Sequence, residues 1–186
     1  VTLDDNFSGE IRALRNDPYF NRTAEHFCSH SNTPYDKQKL ETGAFISGNI
    51  GYIGWDLFRE YAMVGALHLK YAAIDIIERM LGDDKIATTS LPAQGIFSLM
   101  SQPTESGSRL VNYILYTVPK VRGRGIEIVE DITPIFDTKV SVKVDKKPTR
   151  VYTAPDVCDI DFTYDGDKVS YTVPKIECST LVVIEF

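Results

Sequence analysis

Thr180-Leu181-Val182-Val183-Ile184-Glu185-Phe186 closes the sequence as a run of β-branched, apolar and aromatic residues. Such a run suits a pleated, largely buried strand, and it is expected as a core element of a sheet rather than a loose tail. Working upstream, the same reading repeats. Thr138 to Val144 sets Val140, Val142 and Val144 against Lys139, Ser141 and Lys143, the alternation of a strand with one wet face. Phe162 to Tyr164 and Lys168 to Val173 flank Asp165-Gly166, a hairpin signal. Arg150 to Ala154, Gly125 to Val129, Arg109 to Val118 and Gly95 to Ser101 complete the set of strands. Short strands at regular spacing, punctuated by Pro, Gly and Asp, predict an antiparallel β-sandwich over residues 91–186.

Residues 1–90 read differently. Ser8 to Arg15 is predicted as a short helix with Ile11 and Leu14 on one side, ended by Asn16-Asp17-Pro18. Tyr19 to Lys39 has little periodicity and reads as a long loop, kept from disorder by Tyr19, Phe20, Phe27 and Tyr35. Gly43 to Ser47 and Ile50 to Gly54 flank Gly48-Asn49 and predict a β-hairpin. Asp56 is a candidate N-cap for a helix over Leu57 to Val64. Ala66 to Leu81 is the clearest helix, with Leu67, Tyr71, Ile74, Ile77 and Leu81 on one face and Gly82 to stop it. That face is expected to pack on a sheet. Asp83 to Pro92 reads as the bridge into the second half. The fold class expected is α+β: the closing part of an α/β domain, then the sandwich.

The totals bound the function. The chain has 186 residues, a net charge of -6 and a pI near 5.1. Phosphate binding needs clustered Lys and Arg, so nucleic acid is not an expected partner. The basic stretches Lys120 to Arg124 and Lys146 to Arg150 fall in turns without interleaved aromatics. Three cysteines, Cys28, Cys158 and Cys178, give no disulfide framework and fit a reducing, cytoplasmic setting. No apolar run is long enough to span a membrane, and no signal peptide is visible. The sequence starts at Val1 without Met, which suggests processing or truncation.

Several constellations invite chemistry. His26-x-Cys28-x-His30 near Asp36 would put imidazole and thiolate on one side of an extended segment. A structural zinc needs four ligands and no second Cys/His pair exists, so the segment reads as a loop that packs or meets a neighbour, and neither metal nor cofactor is assigned. Glycoside hydrolysis needs two carboxyl groups, and Glu127, Glu130 and Asp131 form an acidic cluster. Surface carboxylates on a strand and its following turn are the commoner case, and no catalytic residue is assigned. No Gly-x-Ser-x-Gly elbow appears. Gly123-Arg124-Gly125 could hold an anion but suits a basic turn, and Asn21-Arg22-Thr23 is a short glycosylation match. Phe97, Tyr113, Tyr116, Phe136, Tyr152, Phe162, Tyr164 and Tyr171 could form a sugar-stacking platform, though most are expected in the core.

The order of segments resembles a known family. Tyr19-Phe20-Asn21-Arg22, Glu25-His26-Phe27-Cys28-Ser29-His30, Thr33-Pro34-Tyr35 and Gly48-Asn49-Ile50-Gly51-Tyr52-Ile53 resemble the end of a glutamine-amidotransferase-like domain of flavodoxin-like fold found in glycoside hydrolases. It is similar to the trimerisation domain of β-galactosidases that carry a catalytic barrel ahead of it. Asn112 to Tyr116, Arg124 to Asp131, Val151 to Pro155, Val169 to Pro174 and Ile184 to Phe186 resemble the small β domain that closes those chains. The resemblance covers nearly all of the sequence after residue 17. It implies a non-catalytic accessory and oligomerisation region acting in carbohydrate metabolism, with the catalytic barrel of the parent chain and further copies of itself as partners. By that analogy His26, Cys28, His30 and Tyr35 become the interface or substrate-rim candidates. A carbohydrate-binding sandwich, and a stand-alone glycosidase using Glu127 with Glu130 or Asp131, are the competing readings.

Overall fold

The structure, a computed structural model, describes every residue except Val1, Asn21, His26, His30, Ser31, Asn32 and Ser106; the side chains of Asp17, Pro18 and residues 36–39 are likewise outside the description. The chain divides into two compact units, Val1–Asp84 and Lys85–Phe186.

The first unit is a three-stranded antiparallel sheet and two helices. β1 (Glu10–Pro18), β2 (Tyr35–Ser47) and β3 (Ile50–Ile53) lie in the order β1-β2-β3. The segment read as a helix over Ser8 to Arg15 is instead β1. Its apolar residues are few enough to fit either period, and pairing with the long β2, from Glu10 opposite Ile46 to Pro18 opposite Tyr35, decides the matter. The same pairing draws residues 35–39 out of the predicted loop. The hairpin around Gly48-Asn49 is as expected, with Gly48 at φ 55°, a left-handed value suited to glycine. Parallel strands of a flavodoxin-like sheet are not among the described strands, all of which pair antiparallel.

α1 (Leu57–Val64) follows Asp56, which sits at the N-cap without a side-chain cap bond, and ends at Gly65 in the left-handed region. α2 (Leu67–Leu81) is apolar around most of its circumference, and the structure uses a different face from the expected one. Ala73 and Ile76 are buried, whereas Leu67, Tyr71, Ile74, Ile77 and Leu81 stay open to solvent. Gly51 of β3 is the reason the helix settles this way. A Cβ there would lie 2.5 Å from Met80 Sδ and 2.6 Å from Ile76 Cγ2, so only glycine lets both side chains down onto the strand. On the same side, Arg12 of β1 donates from Nε and Nη2 to the two Asp75 oxygens at 2.8 and 2.9 Å. Together with Phe58 and Met63 of α1, each 76% exposed, the open α2 residues leave a broad apolar helical surface.

That Arg12–Asp75 clamp titrates. Hydrogen bonds from Arg12, then from Arg79, hold the Asp75 carboxyl below its ordinary 3.8. A depressed carboxylate contributes stability above its unfolded value and loses it as pH falls through the lower folded one. Asp75→Asn should therefore unfold earlier than the parent at pH 7, and the two thermal transitions should converge below about pH 3.8. Thermal unfolding followed by circular dichroism at both ends of that range checks it.

The second unit is the sandwich. One sheet is ordered β10 (Arg150–Ala154), β13 (Cys178–Glu185), β6 (Gly107–Tyr116), β5 (Ile96–Thr104). The other is ordered β11 (Phe162–Tyr164), β12 (Lys168–Ile176), β9 (Ile135–Lys143), β4 (Ala87–Thr89). β4 falls within the stretch read as a bridge; three residues are too short to announce a strand, and pairing with β9 makes them one. Ile114, Val151, Val182 and Ile184 of the first sheet meet Val140, Val142, Val169, Tyr171, Val173 and Ile176 of the second in one core. Each fully buried aliphatic side chain contributes about 1.5–3 kcal/mol, which is why the alternating valines fix the register. β7 (Lys120–Val121) and β8 (Glu127–Ile128) form a separate two-stranded ribbon whose residues are all exposed.

Candidate functional site

A group of interacting polar side chains sits on the β10-β13-β6-β5 sheet, on the face turned away from the core. Strand register builds it. Gln102 stands opposite Arg109, Arg109 opposite Glu185, and Glu185 opposite Arg150, so one row crosses all four strands. Arg109 donates from Nε to Gln102 Oε1 at 2.7 Å and lies 3.9 Å from Glu185 Oε1. Tyr152 donates its hydroxyl to Glu185 Oε1 at 2.7 Å. The Arg150 guanidinium covers the Tyr152 ring at 4.6 Å from its centroid while its Nε donates to Asp159 Oδ1 at 2.6 Å. The bond to Glu185, then burial, raises the Tyr152 phenol above its ordinary value, so it stays protonated near neutrality. Both carboxylates of the group are engaged, Glu185 by Tyr152 and Arg109 and Asp159 by Arg150, so the arrangement braces strands instead of presenting a free acid and base pair for glycoside hydrolysis.

The acidic cluster named from sequence lies on and after the exposed ribbon. Arg122 grips Glu130 with two guanidinium nitrogens, Nε to Oε1 at 2.8 Å and Nη2 to Oε2 at 2.7 Å. That bond holds the Glu130 carboxyl below its ordinary value, the opposite of what a general acid needs. Glu127 projects into solvent from β8, and Glu130 and Asp131 border a recess of about 160 Å³ with Val118, Lys120 and Thr133.

Of the interface candidates, Cys28 is buried at 3% exposure, and Tyr35 opens β2 with its ring exposed. His26 and His30 lie outside the described residues, as does the Asp36 side chain. Among the described residues no three His, Cys, Asp or Glu side chains come together as a metal site. All three cysteines are free thiols. No helix is long and apolar enough to cross a membrane.

Most of the named aromatics are engaged: Tyr171 is in the core, Phe97, Tyr116, Phe162 and Tyr164 pack against it, and Tyr152 lies beneath Arg150, whereas Tyr113 is half-buried and Phe136 is exposed. Arg109 and Glu185 escaped the sequence reading, because a lone charge on each of two strands carries no local signal. The one hint was Glu185 interrupting the apolar closing strand.

A solved structure supplies the class. The fold superposes with a TM-score of 0.86 on alpha-L-fucosidase isoenzyme 2 from Paenibacillus thiaminolyticus, at 38% sequence identity over 96% of this chain. The chain is therefore related to a glycoside hydrolase. It spans only 27% of that enzyme's length. No family model matches the sequence. No curated protein matches it either.

Proposed function

We propose that this chain is a non-catalytic accessory and oligomerisation region of a glycoside hydrolase, one acting on α-L-fucosides in carbohydrate metabolism. The observation that carries this reading is the coverage: the chain corresponds along nearly its whole length to about a quarter of a fucosidase. The engaged state of Glu130 and the solvated Glu127 agree with it. In this reading the catalytic barrel is a partner elsewhere in the parent polypeptide. The open apolar surface of α1 and α2 is where the first unit meets the rest of a flavodoxin-like domain or another copy. The β-galactosidase-like trimerisation role and the rim position of His26, Cys28, His30 and Tyr35 belong to the same reading.

The test is turnover. The isolated chain should release no nitrophenol from a nitrophenyl α-L-fucoside or β-galactoside, and light scattering should find it associated at micromolar concentration. Measurable turnover by the chain alone, abolished by Glu127→Gln, would replace the accessory reading with a stand-alone glycosidase. Any trace of background hydrolysis is instead expected to survive Glu127→Gln unchanged.

A further inference from the structure

The β11-β12-β9-β4 sheet turns a second, quite different surface outward. Its core-facing residues are Val140, Val142, Val169 and Tyr171, so by alternation the opposite face carries Ser141, Ser170 and their neighbours. Register aligns them. Thr88 stands opposite Ser141, Ser141 opposite Ser170, and Ser170 opposite Thr163, giving four hydroxyls in one row across four strands. At the usual strand spacing they are about 4.8 Å apart. The adjacent row pairs Lys139 with Thr172. Ser90 closes one end, its hydroxyl accepting the Lys139 N–H at 2.9 Å, and Asp161 stands at the other. These residues line a groove of about 570 Å³, within the range of small-ligand sites.

We propose that this groove is a saccharide-binding subsite, separate from any catalytic centre and selective for neutral sugars. Three features of the groove select that ligand class. A hydroxyl both donates and accepts, so a wall of hydroxyls can pair with the mixed donor and acceptor set of a sugar without fixing one polarity. Ser170 already donates to Ser141 at 3.0 Å, which orients the pair and leaves Ser141 a proton to give outward. The methyl groups of Thr88, Thr163 and Thr172 alternate with those hydroxyls. A pyranose likewise alternates C–H and O–H around its rim. Charge at the groove balances, one lysine against one aspartate, so nothing concentrates an anion there as a cluster of cations would. With no exposed ring to stack on, binding should be weak and should depend on the hydroxyls.

The choice of sugar rests on the proposed function, whereas the groove rests on its own geometry. The experiment is amide-shift mapping on the whole nitrogen-15-labelled chain, titrated separately with L-fucose and lactose, with glycerol and inorganic phosphate as controls. One of the two sugars should move the amides of Ser141, Thr163, Ser170 and Thr172 saturably, with a Kd of about 1–10 mM. Ser141→Val combined with Ser170→Val should weaken that binding about tenfold. Thr163→Lys, on an edge strand with its side chain already exposed, should block the groove even if the double variant fails to fold. The proposal is overturned if neither sugar gives saturable shifts, or if the shifts map elsewhere. It is equally overturned if glycerol or phosphate reproduces them, or if Thr163→Lys binds as before. Fucoside turnover by the isolated chain would end the accessory reading without touching this result, so the two failures are distinguishable.

Discussion

Ile114→Ala is expected to destabilise the sandwich by about 2–5 kcal/mol. Ile114 is fully buried on β6, flanked by Thr180 of β13 and Phe97 of β5, in the core that both sheets share. Removing three carbons loses their transfer free energy and leaves a cavity, because ladders on both sides hold the backbone in place and the site cannot collapse. For a unit of this size each kcal/mol moves the melting temperature by roughly 4–8 °C, so a fall of about 8–40 °C should appear by calorimetry. A shift of only a degree or two would mean that the two sheets do not close over this position.

Asn112→Ala should come next, at about 2–4 kcal/mol, for a different reason. Asn112 is buried in the same core. Its Oδ1 accepts the Tyr171 hydroxyl at 2.9 Å, and its Nδ2 donates to the Ser98 carbonyl at 3.0 Å. Burial pushes the Tyr171 phenol far above its ordinary value, so it remains a donor at any ordinary pH. Truncating Asn112 removes the partner of the buried Tyr171 hydroxyl and of the part-buried Ser98 carbonyl, whereas Tyr171→Phe strands only Asn112 Oδ1, so Tyr171→Phe should cost less. Removing both ends with Asn112→Leu and Tyr171→Phe should recover part of the loss, because a buried apolar pair carries no unpaired dipole. Urea unfolding of the three variants measures the coupling. An Asn112→Ala penalty no larger than that of Tyr171→Phe would remove the bridge as a stabilising element.

How much of this was legible beforehand depends on the range of each interaction. Lys139-x-Ser141-x-Lys143 set against Val140-x-Val142-x-Val144 announces a strand and its buried face, since a period of two is written into the residues themselves. Asp165-Gly166 and Gly48-Asn49 announce their turns, because few residues accept those backbone angles. The stop at Gly82 is local in the same sense, with φ at 48°.

What the order of residues settled alone was therefore the sandwich strands other than β4, the hairpins and the two helices, while the strand expected over Gly125 to Val129 belongs to the separate ribbon. Only the folded chain decided that residues 10–18 extend along β2, and that α2 buries Ala73 and Ile76 over Gly51. The same holds for Tyr171 reaching Asn112 across 59 positions of sequence, and for four hydroxyls from four strands forming one row. The reason is physical: propensity and periodicity act over a few neighbouring residues, while register, helix face and polar pairing are chosen by whichever distant surface removes the most apolar area from water and leaves no dipole unpaired.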